Sequence, residues 1–214
     1  MTRERLYLYD TTLRDGQQTQ GVDFSAADKT RIALALDKLG VDYIEGGWPG
    51  ANPTDSDFFA APPKLENATF AAFGMTKRQG RSAENDDVLA AVINAGTPAV
   101  CLVGKTHDFH VTTALGISLD ENLQNIADSI AHLRASHREA LFDCEHFFDG
   151  FKAKPDLALG AAKAAYDKGA GWVVLCDTSG GAMPNEVREA VLAVIEAGTS
   201  GNDLGIHTHN DTGH

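Results

Sequence analysis

Three times in this chain a glycine closes an apolar-periodic segment and a run of β-branched residues begins within four positions: "KLGVDYIE", "NAGTPAVCLV" and "DKGAGWVVLC". Glycine is the residue that most easily takes the left-handed conformation ending a helix, so each junction reads as a helix C-terminus feeding a strand. A recurring αβ junction of this kind leaves few folds open. The strand candidates are "RLYLYD", "VDYIEGGW", "ATFAAFGM", "AVCLVGK", "EALFDCEHF", "GWVVLCDT" and "DLGIHTHN", about seven in all. Helix starts fall between them. Ser25 precedes Asp28 by three residues and leads into Ile32, Leu36 and Leu39; Ser118 precedes Glu121 and leads into Leu123, Ile126, Ile130 and Leu133. Two further helices are expected near Pro155 and Pro184, where proline suits a first turn.

Strict alternation with nearly continuous apolar strands predicts a parallel sheet covered by helices. A doubly wound sheet would advertise a glycine-rich phosphate turn after an early strand, and neither a GxGxxG nor a Walker sequence is found. A (β/α)8 TIM barrel instead predicts polar residues at the C-terminal ends of several strands. Asp10, Glu45, Lys105, Glu145, Asp177, His207 and His209 all fall there. The expectation is therefore an α/β chain with one TIM-barrel domain over residues 1–214, truncated after the seventh strand and incomplete at its C-terminus.

The 214 residues are 43% hydrophobic and 22% charged, enough for one sizeable core. A formal net charge of -12 argues against sequence-independent binding to nucleic acid or anionic lipid. No run reaches the roughly 20 apolar residues of a membrane span, and no secretion signal opens the chain, so a cytoplasmic protein is expected. Cys101, Cys144 and Cys176 sit in apolar segments without a CxxC pair and read as buried, reduced thiols.

Four stretches could carry chemistry. On a strand, His207 and His209 of "HTHND" project to one face and could share a divalent ion, or be two histidines without a ligand. "YDTTLRDGQQ" offers Asp10 and Asp15 as oxygen ligands beside Arg14; equally, Asp10 could close an Asx-turn and Asp15-Gly16 a β-turn. Spacing does not choose between the two aspartates. In "FDCEHFFDG", alternation puts Asp143 and Glu145 on one face with Cys144 behind, and Glu145 is either a proton-transfer group or a salt-bridged structural glutamate. "LCDTSGG" presents Asp177, Thr178 and Ser179, or simply a cap for the helix at Pro184. Lys105 could approach a phosphate but reads better as a solvated loop lysine, and His146 should point away from Glu145 on a regular strand.

Taken in order, "DTTLRDGQQ", "EGGWPGANP", "CEHFFDG", "CDTSGG" and "HTHND" resemble the catalytic barrel of the metal-dependent acyl-CoA condensing enzymes. These are the 2-isopropylmalate, homocitrate and citramalate synthases related to 3-hydroxy-3-methylglutaryl-CoA lyase. The resemblance covers essentially the whole chain, and "EGGWPGANPTD" with "EHFFDGFK" is most similar to the citramalate synthase branch, which serves isoleucine biosynthesis. It implies that Asp15, His207 and His209 bind a divalent metal, Mg2+ or Mn2+ with Zn2+ as a third option. It implies that Arg14 contacts the keto oxygen of a 2-oxo acid, that Thr178 holds the acid's carboxylate, that Glu45 supports Arg14, and that Glu145 accepts or relays a proton. The implied reaction joins acetyl-CoA to pyruvate, giving citramalate. A further asparagine ligand, a later subdomain with catalytic residues and a C-terminal regulatory domain belong to the family beyond the seventh strand and are absent from these 214 residues; the full-length form is expected to be a homodimer. The alternatives are a 2-isopropylmalate or homocitrate synthase, a carbon-carbon lyase on the same metal, or an inactive metal-binding fragment.

Overall fold

In a computed structural model, residues 5–213 are described. Seven strands form: β1 (Tyr9–Asp10), β2 (Tyr43–Glu45), β3 (Thr69–Met75), β4 (Ala99–Lys105), β5 (Glu139–Glu145), β6 (Trp172–Asp177) and β7 (Leu204–Thr208). They hydrogen-bond in chain order within one sheet. The registers Tyr9↔Tyr43, Tyr43↔Thr69, Leu141↔Trp172 and Cys176↔His207 are all parallel, as the alternation of strands and helices requires.

Every one of the expected strands exists, although the first is cut short. Its early part is not laddered along its length: the Leu8 N–H donates to the Asp42 carboxylate at 2.9 Å, the Leu8 carbonyl accepts from Asp42 and Tyr43, and Leu6 and Leu8 stay exposed.

The helices are α1 (Ala26–Leu39), α2 (Pro53–Ala60), α3 (Asp87–Asn94), α4 (Leu119–Ala135), α5 (Phe147–Ala153), α6 (Pro155–Asp167) and α7 (Pro184–Glu196). Ser25 and Asp28 form a reciprocal capping box on α1, and Ser118 accepts from the Glu121 N–H at the start of α4. Pro155 and Pro184 occupy first turns. The three junction glycines, Gly40, Gly96 and Gly169, all have positive φ, the conformation that their place after a helix demands. The cap of α7 differs from expectation. Met183 is the N-cap, with its N–H held by Glu186 at 2.7 Å, while Asp177 accepts from the backbone of Gly181 and Ala182 at 3.3 and 2.9 Å and so braces the loop instead.

The chain divides into two compact units, Met1–Gly74 with Ala90–Val100, and Met75–Leu89 with Cys101–His214. In the first, Leu13, Ile44, Phe58 and Phe70 are buried, and the rings of Phe58 and Phe70 meet edge to face at 5.6 Å. In the second, Leu102 and Phe142 from the sheet and Ile126, Ile130 and Leu133 from α4 are all fully buried. Those four leucine and isoleucine positions on α4 and β4 were the apolar ones of the sequence pattern, and their burial supplies the drive that holds helix on sheet. Among the described residues no helix is long and apolar enough to cross a membrane.

Candidate active site at the strand ends

In the first unit the loop after β1 folds back on itself. Asp10 accepts from the Thr12 N–H at 2.9 Å and faces the Thr12 hydroxyl at 3.2 Å, an Asx-turn that commits this aspartate to the loop. The Thr11 carbonyl then gathers the N–H groups of Arg14, Asp15 and Gly16, which turns Arg14 and Asp15 off the strand axis. The Nε of Arg14 donates to Glu45 Oε1 at 2.5 Å and its Nη1 to Asp15 Oδ1 at 3.0 Å. The guanidinium lies 4.0 Å above the Phe73 ring, a cation held flat by charge on one edge and a π-face below. Glu45, at the end of β2, is fully buried and also accepts from the Tyr9 hydroxyl at 2.6 Å. Burial pushes its carboxyl above the ordinary range; Arg14 and Tyr9 pull it back, and the Asp15 charge adds to the rise.

The loop beyond Glu45 rests on a buried ion pair. Lys29 of α1 is completely buried; its ammonium pairs with Asp55 and donates to the Gly46 carbonyl at 3.1 Å. Asp55 in turn accepts from the Trp48 N–H at 2.9 Å. Gly47 has φ +139°, and a Cβ there would come within 2.6 Å of the Asp55 carboxylate. "EGGW" therefore needs its second glycine for close approach as well as for backbone freedom.

In the second unit Glu145 ends β5 and forms an ion pair with Lys105, at the end of β4. Lys105 is thus a partner of the candidate proton-transfer group and not the solvated lysine that its sequence suggested. Thr106 donates from both its N–H (3.3 Å) and its hydroxyl (2.7 Å) to the Glu145 carbonyl, fixing the strand end. His146 departs from the regular strand: its φ of 55° puts it in the left-handed region. That turn sends its N–H to the Thr178 hydroxyl oxygen at 3.0 Å, so Thr178 is locked as an acceptor and its own proton remains a donor.

Beside it lies an open cleft of about 450 Å³ lined by His107, His110, His146, Asp149, Lys152, Ala153 and Ser179. The rings of His110 and His146 are 4.4 Å apart, and Ser179 donates to Asp149 at 2.6 Å. Burial, helped by the neighbouring His146 and His107, holds His110 below the ordinary histidine range. The sequence signals for this cleft, "GKTHDFH" and the histidine after Glu145, lie in separate segments and carry no shared spacing.

His207 and His209 project from the end of β7 with ring centroids 5.1 Å apart and planes inclined by 51°. The His209 N–H donates to the Asp177 carbonyl at 3.2 Å. One residue inward, Asp143, Cys176 and His207 bring one carboxylate oxygen, one sulfur and one ring nitrogen within 4.8 Å of one another. Cys144 faces the other way, fully buried, with its thiol pushed well up by burial and then by the Asp143 charge.

The family model described as HMGL-like matches residues 5–214. The (R)-citramalate synthase of Aquifex aeolicus is 48% identical over 211 residues, covering 98% of this chain and 40% of the relative. The 2-isopropylmalate synthase 1 of Caldanaerobacter subterraneus is 32% identical over 215 residues, covering 98% of this chain and 52% of that relative. The chain thus spans about two fifths to one half of the length of these relatives. A solved HMG-CoA lyase of Bacillus subtilis superposes with a TM-score of 0.79 at 18% identity, over 97% of this chain and 70% of that one. That likeness shows the α/β-barrel fold class, of which seven parallel strands are described here.

Proposed function

This chain belongs to the HMGL-like family, and from that premise we propose that it carries the 2-oxo-acid and metal-binding part of a citramalate synthase. The observation that carries the reading is the 48% identity to a citramalate synthase across nearly the whole chain, against 32% to a 2-isopropylmalate synthase. The reaction is the Claisen-type condensation of acetyl-CoA with pyruvate, on a route to isoleucine in the cytoplasm.

Asp15, His207 and His209 are the residues that would hold a divalent ion; the two imidazoles from one strand end, with a carboxylate and open positions left for substrate oxygens, suit Mg2+ or Mn2+, with Zn2+ as a third option. Such an ion supplies Lewis-acid polarisation of the 2-oxo acid when bound. Arg14 donates to the keto oxygen and stabilises the negative charge that gathers there; its fixed pose between Glu45 and Phe73 means that no reorganisation is needed as the charge develops. The Thr178 proton is directed at the pyruvate carboxylate by the His146 N–H behind it. Glu145 takes or relays a methyl proton from acetyl-CoA. The enolate carbon bonds to the keto carbon, the keto oxygen gains a proton, and water cleaves the thioester to release CoA thiol and citramalate.

A thiol-release assay over pyruvate, 3-methyl-2-oxobutanoate and 2-oxoglutarate, on the longest polypeptide carrying this sequence, tests the proposal. Pyruvate should be preferred, and Arg14→Lys, which loses the planar fork, should lower kcat/KM about 100-fold or more. Preference for either larger acid, or product formed from a hydroxyacyl-CoA without acetyl-CoA, would replace this reading with a sister synthase or a lyase.

A further inference from the structure

We infer that Asp143, Cys176 and His207 form a separate binding site for a thiophilic divalent ion of the Zn2+ or Cd2+ type. The sheet register builds it. Cys176 and His207 are directly paired across β6 and β7, and Asp143 pairs with Val174, two residues back from Cys176 on the same face. Their donor atoms all lie within 4.8 Å of one another. Adjacent ligands of a tetrahedral zinc ion with bonds of about 2.0–2.3 Å stand about 3.5 Å apart, so the three donors are gathered near the spacing that such an ion requires. Asp143 and Cys176 are 7% and 6% exposed, so the carboxylate and the sulfur lie inside the sheet and not on its surface.

Sulfur decides which ion enters. A thiolate with an imidazole and one carboxylate favours Zn2+ or Cd2+ over Mg2+ or Mn2+, whose preferred donors are oxygen and water. As the metal–sulfur bond forms, the thiol proton leaves to solvent and the ion balances the buried negative charge. Because His207 also belongs to the proposed Asp15, His207 and His209 set, an ion in the thiolate site removes a ligand from the other, and the two occupancies exclude each other. Only this consequence rests on the proposed function; the thiolate site itself stands on the geometry of β5, β6 and β7.

A Cd2+ titration of this chain, followed by the ultraviolet thiolate-to-metal charge-transfer band, tests it. One equivalent should saturate the band. Both Cys176→Ser and Cys176→Ala, checked for folding by circular dichroism, should lose it and bind at least about 100-fold more weakly. Asp15→Ala should keep it. A band that persists in both folded Cys176 variants, or one that requires Asp15 and ignores Cys176, overturns the inference. A Cys176-dependent band in a chain that binds no Mn2+ supports the thiolate site and removes the harder one; Asp15-dependent Mn2+ binding without any thiolate band does the reverse.

Discussion

Glu45 shows how a single buried charge is made useful. It has no access to solvent, yet it is held between the Tyr9 hydroxyl and the Arg14 guanidinium. In the proposed condensation its task would be to aim Arg14, which makes it a positioning residue. Glu45→Gln keeps the shape and an acceptor but removes the charge. Losing one charge-assisted hydrogen bond of about 1.5–3 kcal/mol should lower kcat/KM by about 10- to 100-fold, with the loss confined to the 2-oxo acid and KM for acetyl-CoA unchanged. Steady-state kinetics varying each substrate would check this; activity within twofold of the parent would mean that the other contacts of Arg14, with Asp15 and Phe73 among them, suffice to hold the guanidinium. Glu45 is visible in the sequence because strand-end positions are where such folds put polar groups, and Arg14 as the cation beside two aspartates in the loop after the first strand. Their contact came only from the resemblance. Lys105 was misjudged for a physical reason: a lysine at a strand end looks solvated until its partner, forty positions away at Glu145, is brought beside it. For His146 the alternation argument does not apply, because it assumes a regular strand and the positive φ breaks the strand at that residue.

At the scale of elements, long segments were legible and short ones were not. The strands declare themselves as apolar runs because parallel strands are covered on both faces, and α1, α4, α6 and α7 have caps or first-turn prolines with several periodic turns behind them. Helices α2, α3 and α5, of eight, eight and seven residues, present about two turns each, too few to establish a period. One of them matters greatly: α2 supplies Asp55, which holds the Trp48 N–H and is the counterion of the buried Lys29 that holds the Gly46 carbonyl. Removing one partner of a buried pair costs more than the pair contributes, since the other charge is left without compensation. Lys29→Met should therefore destabilise the chain by about 3–5 kcal/mol, read as a shift in the denaturant midpoint. The double variant Lys29→Met, Asp55→Leu should recover much of that loss. If the single variant melts like the parent, the pair is not what holds α1, α2 and the loop after β2 together.

For the whole molecule, the proposed hard-ion ligands couple sequence order to stability. Asp15 follows the first strand, His207 lies on the last strand described and His209 just past its end, so the proposed ligands come from opposite ends of the sequence and meet only in a folded chain. Anything that binds only the folded state stabilises it by mass action, by about 2.7 kcal/mol at a ligand concentration of 100 times Kd. For a chain of this length that corresponds to a rise in Tm of about 5–10 °C. Mn2+ should produce that rise in the parent and none in Asp15→Ala, as monitored by circular dichroism melting at fixed ionic strength. The Asp15→Ala comparison separates specific ligation from screening of the -12 net charge, because a non-specific relief of self-repulsion would raise both melting points equally. Cys176→Ser adds the complementary discrimination: it should leave the Mn2+ effect in place and abolish the response to Cd2+. An Mn2+ shift of equal size in the parent and Asp15→Ala would mean that charge neutralisation, and no assembled metal centre, accounts for the stabilisation.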